Sequence, residues 1–170
     1  KSGSENHIFI TAKYESEKLI LSQNFEIEKG KPYFKISVTL ESKTSGEVET
    51  NYLAPLDFIY PTKELNSLFL SLEQKMLLVP YDNDMWVRYE STPLKPGRTS
   101  YDVTAIFDEK KLCGMVVGAL DFDTWKNAVK CSAYDARVYT AFSGVADEGT
   151  HDTLPHGTLI GKEVRSARFL

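Results

Sequence analysis

The sequence predicts an all-β protein, an antiparallel β-sandwich of about ten strands. Short runs in which apolar and polar residues alternate recur along the chain, and Gly, Pro, Asp or Asn separates most of them. The length of 170 residues suits one folding unit, since domains usually contain about 100–200 residues. We therefore expect residues 1–170 to form a single β-sandwich domain.

The clearest strand is "YFKISVTLES", which follows the turn residues "KGKP". One face of this strand would carry Phe34, Ile36, Val38 and Leu40, and the other Lys35, Ser37, Thr39 and Glu41. The preceding "NFEIE" has the same alternation, so the two runs predict a hairpin. Further strands are predicted from "HIFITA", "EVETNYLA", "DMWVRYES", "TSYDVTAIF", "KLCGMVVGAL", "DARVYTAF" and "TLIGKEVRSARFL".

One segment departs from the two-residue period. Its apolar residues follow the i, i+3, i+4, i+7, i+11 spacing of a helix face, namely Leu65, Leu68, Phe69, Leu72 and Met76. A short helix and a hairpin both fit this stretch, and the spacing leaves the choice open.

Charge and hydropathy exclude two classes of partner. The formal net charge is −4, and the 20 cationic side chains are scattered rather than clustered as a phosphate-binding surface requires. We therefore expect no nucleic-acid partner. No apolar run approaches the ~20 residues that a membrane-spanning helix needs, so we expect no membrane span.

Both ends of the chain predict a processed protein. The chain begins at Lys1 with a polar "KSGSEN" stretch, which indicates that a targeting segment has been removed. We expect an exported protein, secreted, periplasmic or attached to the cell surface. The chain stops inside an apolar run at Phe169 and Leu170, which indicates a piece of a longer protein.

The two cysteines, Cys113 and Cys131, are either buried thiols or one disulfide. Neither has a His or Cys nearby at the spacing of metal ligands, so no zinc site is expected through them. The loop 144–157 contains His151, Asp152 and His156, which are either metal ligands or residues of a solvated loop. No G-x-S-x-G motif and no glycine-rich phosphate loop is present.

The stretch "VPYDNDMWVRYES" is the strongest functional candidate. If it is extended, Asp82 and Asp84 lie on one side about 6.6–6.8 Å apart along the backbone, while Asn83 faces away. This spacing is compatible with glycoside hydrolysis, but two acids on one strand would flank a sugar bond poorly. A calcium site completed by other loops and a simple turn, with Asp84 paired to Arg88, are the alternatives.

Carbohydrate recognition is a further interpretation of this stretch, beside the turn, the calcium site and catalysis. Asp and Asn supply the paired donors and acceptors that sugar hydroxyls need, and an aromatic ring packs on the C–H face of a pyranose. Trp125 follows Asp121 and Asp123 closely in the sequence, so an aromatic ring again lies near carboxylates. An isolated Trp is, however, more often a packing residue. The predicted carbohydrate-binding residues are Tyr81, Asp82, Asn83, Asp84, Trp86 and Trp125. We expect no catalytic residue and no cofactor, with a structural calcium ion as the one candidate metal.

Three segments also carry a family resemblance: "VPYDNDMWVRY", "SYDVTAIFDEKKLCGMVVGALDFDTWKNAV" and "GTHDTLPHGTLIGKEVRSARFL". Together they resemble the N-terminal β-sandwich region of bacterial glycoside hydrolases of the α-galactosidase type, particularly those of Bacteroidetes-like gut bacteria. The resemblance covers Leu77 to Leu170, and the first sixty or so residues match only as generic strands. It implies a galactose-mutarotase-like or jelly-roll-like fold that precedes a catalytic (β/α)8 barrel.

The resemblance places the catalytic aspartates in that barrel, outside this chain. It implies an accessory domain that is not catalytic alone, packs on the barrel and contributes the segment from Asp82 to Trp86 to the rim of the sugar pocket. An autonomous carbohydrate-binding module and a purely structural or oligomerisation domain remain the alternatives.

Overall fold

β-strands account for all the regular structure in the computed structural model, which describes residues 2–3, 6–59, 74–81, 88–131, 135–143 and 154–170. The strands are β1 Ser2–Gly3, β2 His7–Glu15, β3 Leu19–Glu28, β4 Phe34–Ser42, β5 Val48–Thr50, β6 Tyr52–Ile59, β7 Gln74–Leu78, β8 Glu90–Pro93, β9 Thr99–Tyr101, β10 Val103–Asp108, β11 Cys113–Gly118, β12 Trp125–Cys131, β13 Asp135–Phe142, β14 Leu159–Gly161 and β15 Glu163–Arg165. Across the described ranges, no helix is long and apolar enough to cross a membrane.

The strands form antiparallel sheets, and the predicted all-β class is confirmed. A five-stranded sheet has the order β1-β2-β3-β4-β15, and two four-stranded sheets have the orders β11-β10-β7-β8 and β6-β13-β12-β9, while β14 pairs with β5. The described residues form 15 strands, more than the predicted ten, in part because single predicted runs are broken by one residue. Asp102, for example, separates β9 from β10 with a φ of 60°, a left-handed conformation that interrupts an extended chain.

The predicted hairpin is confirmed as β3 and β4, with Phe25 opposite Ile36. Ile36 and Val38 are buried, as their alternation predicts. The side chain of Phe34 is 42 % exposed, although its ring lies 5.9 Å from that of Phe25. Phe34 is the first residue of β4, beside the turn, where the strand extends beyond the core.

The segment with helical spacing lies mostly outside the described residues, which resume at Gln74. Its last apolar residue, Met76, belongs to strand β7, pairs with Ile106 and is fully buried. For the predicted strand "DMWVRYES", the described part begins at Arg88, and strand β8 starts only at Glu90.

One hydrophobic cluster joins the sheets, and its largest fully buried side chain is that of Phe169. The backbone of Phe169 exchanges two hydrogen bonds of 2.8 Å with Ile36 of β4, while Leu170 does the same with Gly118 of β11 at 2.8 and 2.9 Å. The C-terminal residues therefore connect two sheets.

Both cysteines are free thiols, as one of the two alternatives predicted, but of the two only Cys131 is buried, while Cys113 is half-buried. Cys131 is buried and its Sγ lies 3.5 Å from Sδ of Met76. Burial, with a smaller contribution from Asp135, raises the pKa of Cys131 to about 11.

Candidate functional site

Of the six residues predicted to bind carbohydrate, the structure describes Tyr81 and Trp125. Tyr81 is half-buried and is the last described residue before the stretch 82–87. Asp82, Asn83, Asp84 and Trp86 therefore lie outside the described residues, and their roles stay predictions.

Trp125 is a core residue and offers no sugar platform in this structure. Only 7 % of it is exposed, and its ring meets that of Phe142 edge-on, with centroids 6.1 Å apart. The indole Nε1–H donates a 3.1 Å hydrogen bond to the backbone oxygen of Arg165. Both the apolar body and the polar edge of the side chain are therefore engaged inside the protein.

The surroundings of Tyr81 form the candidate site. The ring of Tyr81 contacts that of Tyr101 edge-on at 5.2 Å, and the ammonium group of Lys126 lies 5.4 Å from the Tyr81 centroid, within cation–π range. Lys126 is only 5 % exposed, and its Nζ donates a 2.7 Å hydrogen bond to the backbone oxygen of Leu154. A buried ammonium group needs such partners because desolvation penalises its charge.

Lys126 thereby joins two segments that the sequence singles out. Tyr81 directly precedes the predicted carbohydrate-binding stretch, and Leu154 is the first described residue after 144–153 in the longest predicted loop. The ends of these two stretches, 73 residues apart, meet at one buried cation. We call the group Tyr81, Tyr101, Lys126 and Leu154 the lysine corner.

The pairing of strands around β12 explains why these side chains meet. Ala128 of β12 lies opposite Tyr101 of β9 on one side and opposite Tyr139 of β13 on the other. Lys126 is two residues before Ala128, so it points to the same face of the sheet. Tyr52 of β6 joins this face because it pairs with the residue opposite Lys126.

The tyrosine face, defined as Tyr52, Tyr81, Tyr101 and Tyr139, is a connected set of rings. Tyr52 stacks on Tyr139 with centroids 5.2 Å apart and an interplanar angle of 27°. Burial, with Tyr101 and Tyr52 adding to the effect, raises the pKa of Tyr139 to about 12, and burial also raises the pKa of Tyr52. These hydroxyls therefore stay neutral at physiological pH and act as hydrogen-bond donors and acceptors.

An ion pair borders this face. Arg137 donates two hydrogen bonds, of 2.8 and 2.9 Å, to the carboxylate of Asp57, and these bonds raise the pKa of the Arg137 guanidinium. Arg137 also hydrogen-bonds Tyr52. The Asp57 carboxylate is thus held as a fixed acceptor by its bidentate partner.

Most of this site was not predicted from the sequence. Of the lysine corner only Tyr81 was expected to bind a ligand; Tyr101 and the neighbouring Tyr139 carried no signal beyond membership of alternating runs, and Lys126 belonged to no predicted run. Strands β12 and β13 are consecutive, but β9 joins them only by pairing with β12, so the position of Tyr101 beside these residues depends on the order of strands in the sheet.

The described part of the chain holds no group of three or more His, Cys, Asp or Glu side chains that could bind a metal ion. The calcium hypothesis rests on Asp82 and Asp84, and the loop hypothesis on His151 and Asp152, all outside the described residues. Both hypotheses stay predictions.

No protein-family model matches this sequence, and no curated protein matches it significantly. Among solved structures, the fold is similar to that of a galactose mutarotase related enzyme from Lactobacillus acidophilus, with a TM-score of 0.51 and 11 % sequence identity. The match covers 99 % of this chain and 68 % of that chain. At this identity the likeness concerns the fold alone, and it shows that the chain has a galactose-mutarotase-like, all-β antiparallel fold.

Proposed function

We propose that this chain is a non-catalytic accessory β-sandwich domain of a carbohydrate-active enzyme, and that its lysine corner forms part of a sugar-binding rim. The observation that carries the proposal is the meeting of Tyr81 and Leu154 at the buried ammonium group of Lys126. This contact brings the ends of two loop stretches to the edge of a sheet face rich in tyrosine.

The chemistry of this face suits a sugar. A tyrosine ring packs on the C–H face of a pyranose, and its hydroxyl group both donates and accepts hydrogen bonds. The stretch after Tyr81 would add the carboxylate and amide groups of Asp82, Asn83 and Asp84, together with the ring of Trp86. Fixed rings beside polar loops are a common arrangement in binding sites, because the scaffold holds the loops in place.

One carboxylate that borders this face, that of Asp57, is already engaged, which favours recognition over catalysis there. The two carboxylate oxygens of Asp57 accept hydrogen bonds from Nε and Nη2 of Arg137, so this carboxylate is poorly placed to accept or deliver a proton. The two acids of the stretch 82–87 are only two residues apart, and an extended chain would present both from the same direction.

The parent protein belongs to the same proposal. The resemblance over Leu77 to Leu170 supports an exported bacterial glycoside hydrolase of the α-galactosidase type, in which a catalytic barrel follows this domain. The name of the structural neighbour, a galactose mutarotase related enzyme, agrees with a carbohydrate-related role.

The test compares Tyr81→Ala and Asp84→Ala in the parent enzyme, with Tyr14→Ala as the matched control. Tyr14 is exposed on β2, in a different sheet from the lysine corner. We expect Tyr81→Ala to lower kcat/KM about 3- to 10-fold, as the loss of ~0.5–1.5 kcal/mol of aromatic contact implies. Asp84→Ala should lower it roughly tenfold to a hundredfold, since charge-assisted hydrogen bonds contribute ~1.5–3 kcal/mol.

The melting temperature of each variant separates recognition from stability. If kcat/KM falls while the melting temperature matches that of Tyr14→Ala, the lysine corner is a sugar-binding rim. If kcat/KM is unchanged in both variants, the rim proposal is wrong. Release of aryl galactosides by residues 1–170 alone, abolished by Asp84→Asn, would instead place catalysis in this chain.

A further inference from the structure

A second concave surface lies on the five-stranded sheet, which contributes none of the tyrosine face. It is a groove of about 560 Å³ on the polar side of strands β2, β3, β4 and β15. Apart from Phe25 and Ile36, its lining residues on β2, β3 and β4 alternate in sequence with those that point to the core, so the groove and the core lie on opposite faces of one sheet.

The floor of the groove is an uncharged hydrogen-bonding network. Asn24 lies between Thr11 of β2 and Ser37 of β4 in the strand register. The Thr11 hydroxyl donates to Oδ1 of Asn24 at 2.9 Å, and Nδ2 of Asn24 lies 3.3 Å from Oγ1 of Thr39. Thr39 is only 7 % exposed although it points away from the core, which shows that neighbouring side chains rise around it.

The charges around this floor are paired. Lys35 binds Glu26 at 2.9 Å, and one arm of Arg165 lies 3.2 Å from Glu163. All four residues line the groove, and within each pair the positive and negative charges balance without a ligand.

A third cation of the lining, Arg168, is likewise neutralised by Asp121, with a shortest contact of 2.7 Å. The remaining charged residues of the lining, Lys13 and Glu41, have opposite signs. The groove therefore has no excess charge to attract an anion or a cation.

An aromatic ring marks one end of the groove. Phe9 is 44 % exposed on a face that is otherwise polar, and it lies opposite Glu26 in the register. The His7 ring is nearly parallel to that of Phe9, with centroids 6.4 Å apart and an interplanar angle of 14°. This neighbour limits the orientations open to Phe9 and leaves part of its ring accessible.

We propose that this groove binds a neutral oligosaccharide, with one sugar ring against Phe9 and the hydroxyl groups of the following units on the floor formed by Thr11, Asn24 and Ser37. Hydroxyl and amide side chains both donate and accept, as sugar hydroxyls do. The volume falls within the ~300–1,000 Å³ of typical ligand sites. The lack of excess charge favours a neutral ligand over a uronic acid or a phosphate.

A peptide fits this surface less well than a sugar. Extended peptides bind by adding to the exposed edge of a sheet, where backbone groups are unpaired. The groove instead lies across the faces of strands that are already hydrogen-bonded to each other. The proposal concerns a different sheet from the lysine corner and does not depend on the proposed function.

The test measures binding of neutral tetrasaccharides of galactose, glucose and mannose to residues 1–170 by calorimetry, with a tetragalacturonide as the anionic comparison. We expect Phe9→Ala to weaken binding of the preferred neutral tetrasaccharide about 3- to 10-fold, as loss of an aromatic contact implies. Asn24→Ala should weaken it by a similar factor, because the groove loses a donor and an acceptor. The control is Ile8→Ala, a change of a similarly exposed apolar residue on the opposite face of the same strand.

Salt dependence checks the charge of the ligand. The Kd of a neutral sugar should stay the same between about 50 mM and about 500 mM NaCl, whereas screening would weaken a charged ligand. The proposal is overturned if no neutral tetrasaccharide binds at millimolar concentration, or if only the tetragalacturonide binds. It is also overturned if Phe9→Ala and Asn24→Ala, shown to be folded by their melting curves, bind like Ile8→Ala.

This assay and that of the lysine corner can fail separately. Binding by residues 1–170 reports on the groove, whereas turnover by the parent enzyme reports on the rim.

Discussion

Replacing Trp125 tests most directly whether its ring is a packing residue or a sugar platform. The side chain is 7 % exposed and packs against Phe142, so Trp125→Ala should destabilise the protein by roughly 3–5 kcal/mol, as is typical for truncating a large buried aromatic residue. For a domain of this size, 1 kcal/mol shifts the melting temperature by about 2–4 °C. We therefore expect a decrease of about 6–20 °C.

The variant Trp125→Phe separates packing from hydrogen bonding. It keeps an aromatic ring in the core but removes the Nε1–H that donates to Arg165 at 3.1 Å. A hydrogen bond of this kind contributes about 0.5–1.5 kcal/mol, so we expect a decrease of about 1–6 °C.

Both variants are measured by thermal and urea unfolding, with the exposed Phe122→Ala as the control, which should change stability by less than about 0.5 kcal/mol. If Trp125→Ala melts like Phe122→Ala and loses affinity for sugar, the ring is a platform and the buried assignment is wrong.

Further predictions concern reactivity, packing and pH. Cys131 should react with a disulfide reagent only on unfolding, because burial raises its pKa to about 11, whereas the chain's other cysteine is half-buried and should react first; equal rates in the native protein would contradict this. Gly114→Ala should destabilise by about 1–3 kcal/mol in urea, since a Cβ there would lie 2.6 Å from a backbone oxygen of the neighbouring strand, whereas Gly118→Ala meets nothing closer than 3.8 Å and should be nearly neutral. Hydrogen bonds from Arg168 hold the pKa of Asp121 below its usual value, so this pair stabilises the protein above about pH 4 and less as the pH falls below it; the stability difference between wild type and Asp121→Asn, below ~1 kcal/mol at neutral pH, should shrink on acidification.

Local alternation was sufficient to predict the hairpin of β3 and β4. Its two faces separate the buried Ile36 and Val38 from the groove residues Ser37 and Thr39, as a two-residue period requires. Phe34 belongs to the apolar series and is nevertheless 42 % exposed, because periodicity gives the direction of a side chain but not the extent of the core beneath it.

A strand that is buried on both faces does not show an alternation of apolar and polar residues. Strand β12 is buried at every position from Trp125 to Cys131 except Lys130, so its sequence does not alternate and its position between β13 and β9 could not be foreseen. The helical spacing that ends at Met76 left a helix and a hairpin open for a related reason, and most of that segment lies outside the described residues. A short apolar run matches several periods, and in the structure Met76 belongs to a strand.

The lysine corner and the groove required information that no local pattern contains. Lys126 contacts Tyr81 and Leu154 only because the tertiary fold brings these distant parts of the sequence together. The polar face of β4 was expected, but its concavity depends on side chains from strands distant in sequence. Alternation therefore predicts which residues are polar and exposed, whereas tertiary pairing decides which of them form a site.

Trp125 also links the core to the proposed oligosaccharide groove. Its Nε1–H bonds the backbone oxygen of Arg165, whose own strand, β15, has only three residues and pairs with β4 along the groove. Such a short edge strand makes few ladder hydrogen bonds, so an additional bond from a rigid, buried side chain limits its movement. Four residues after the end of β15, Phe169 anchors the chain to Ile36 on the core side of the same sheet. Removing the indole N–H should therefore loosen the wall of the groove near Arg165 before it unfolds the protein, and faster amide exchange in β15 of Trp125→Phe would show this.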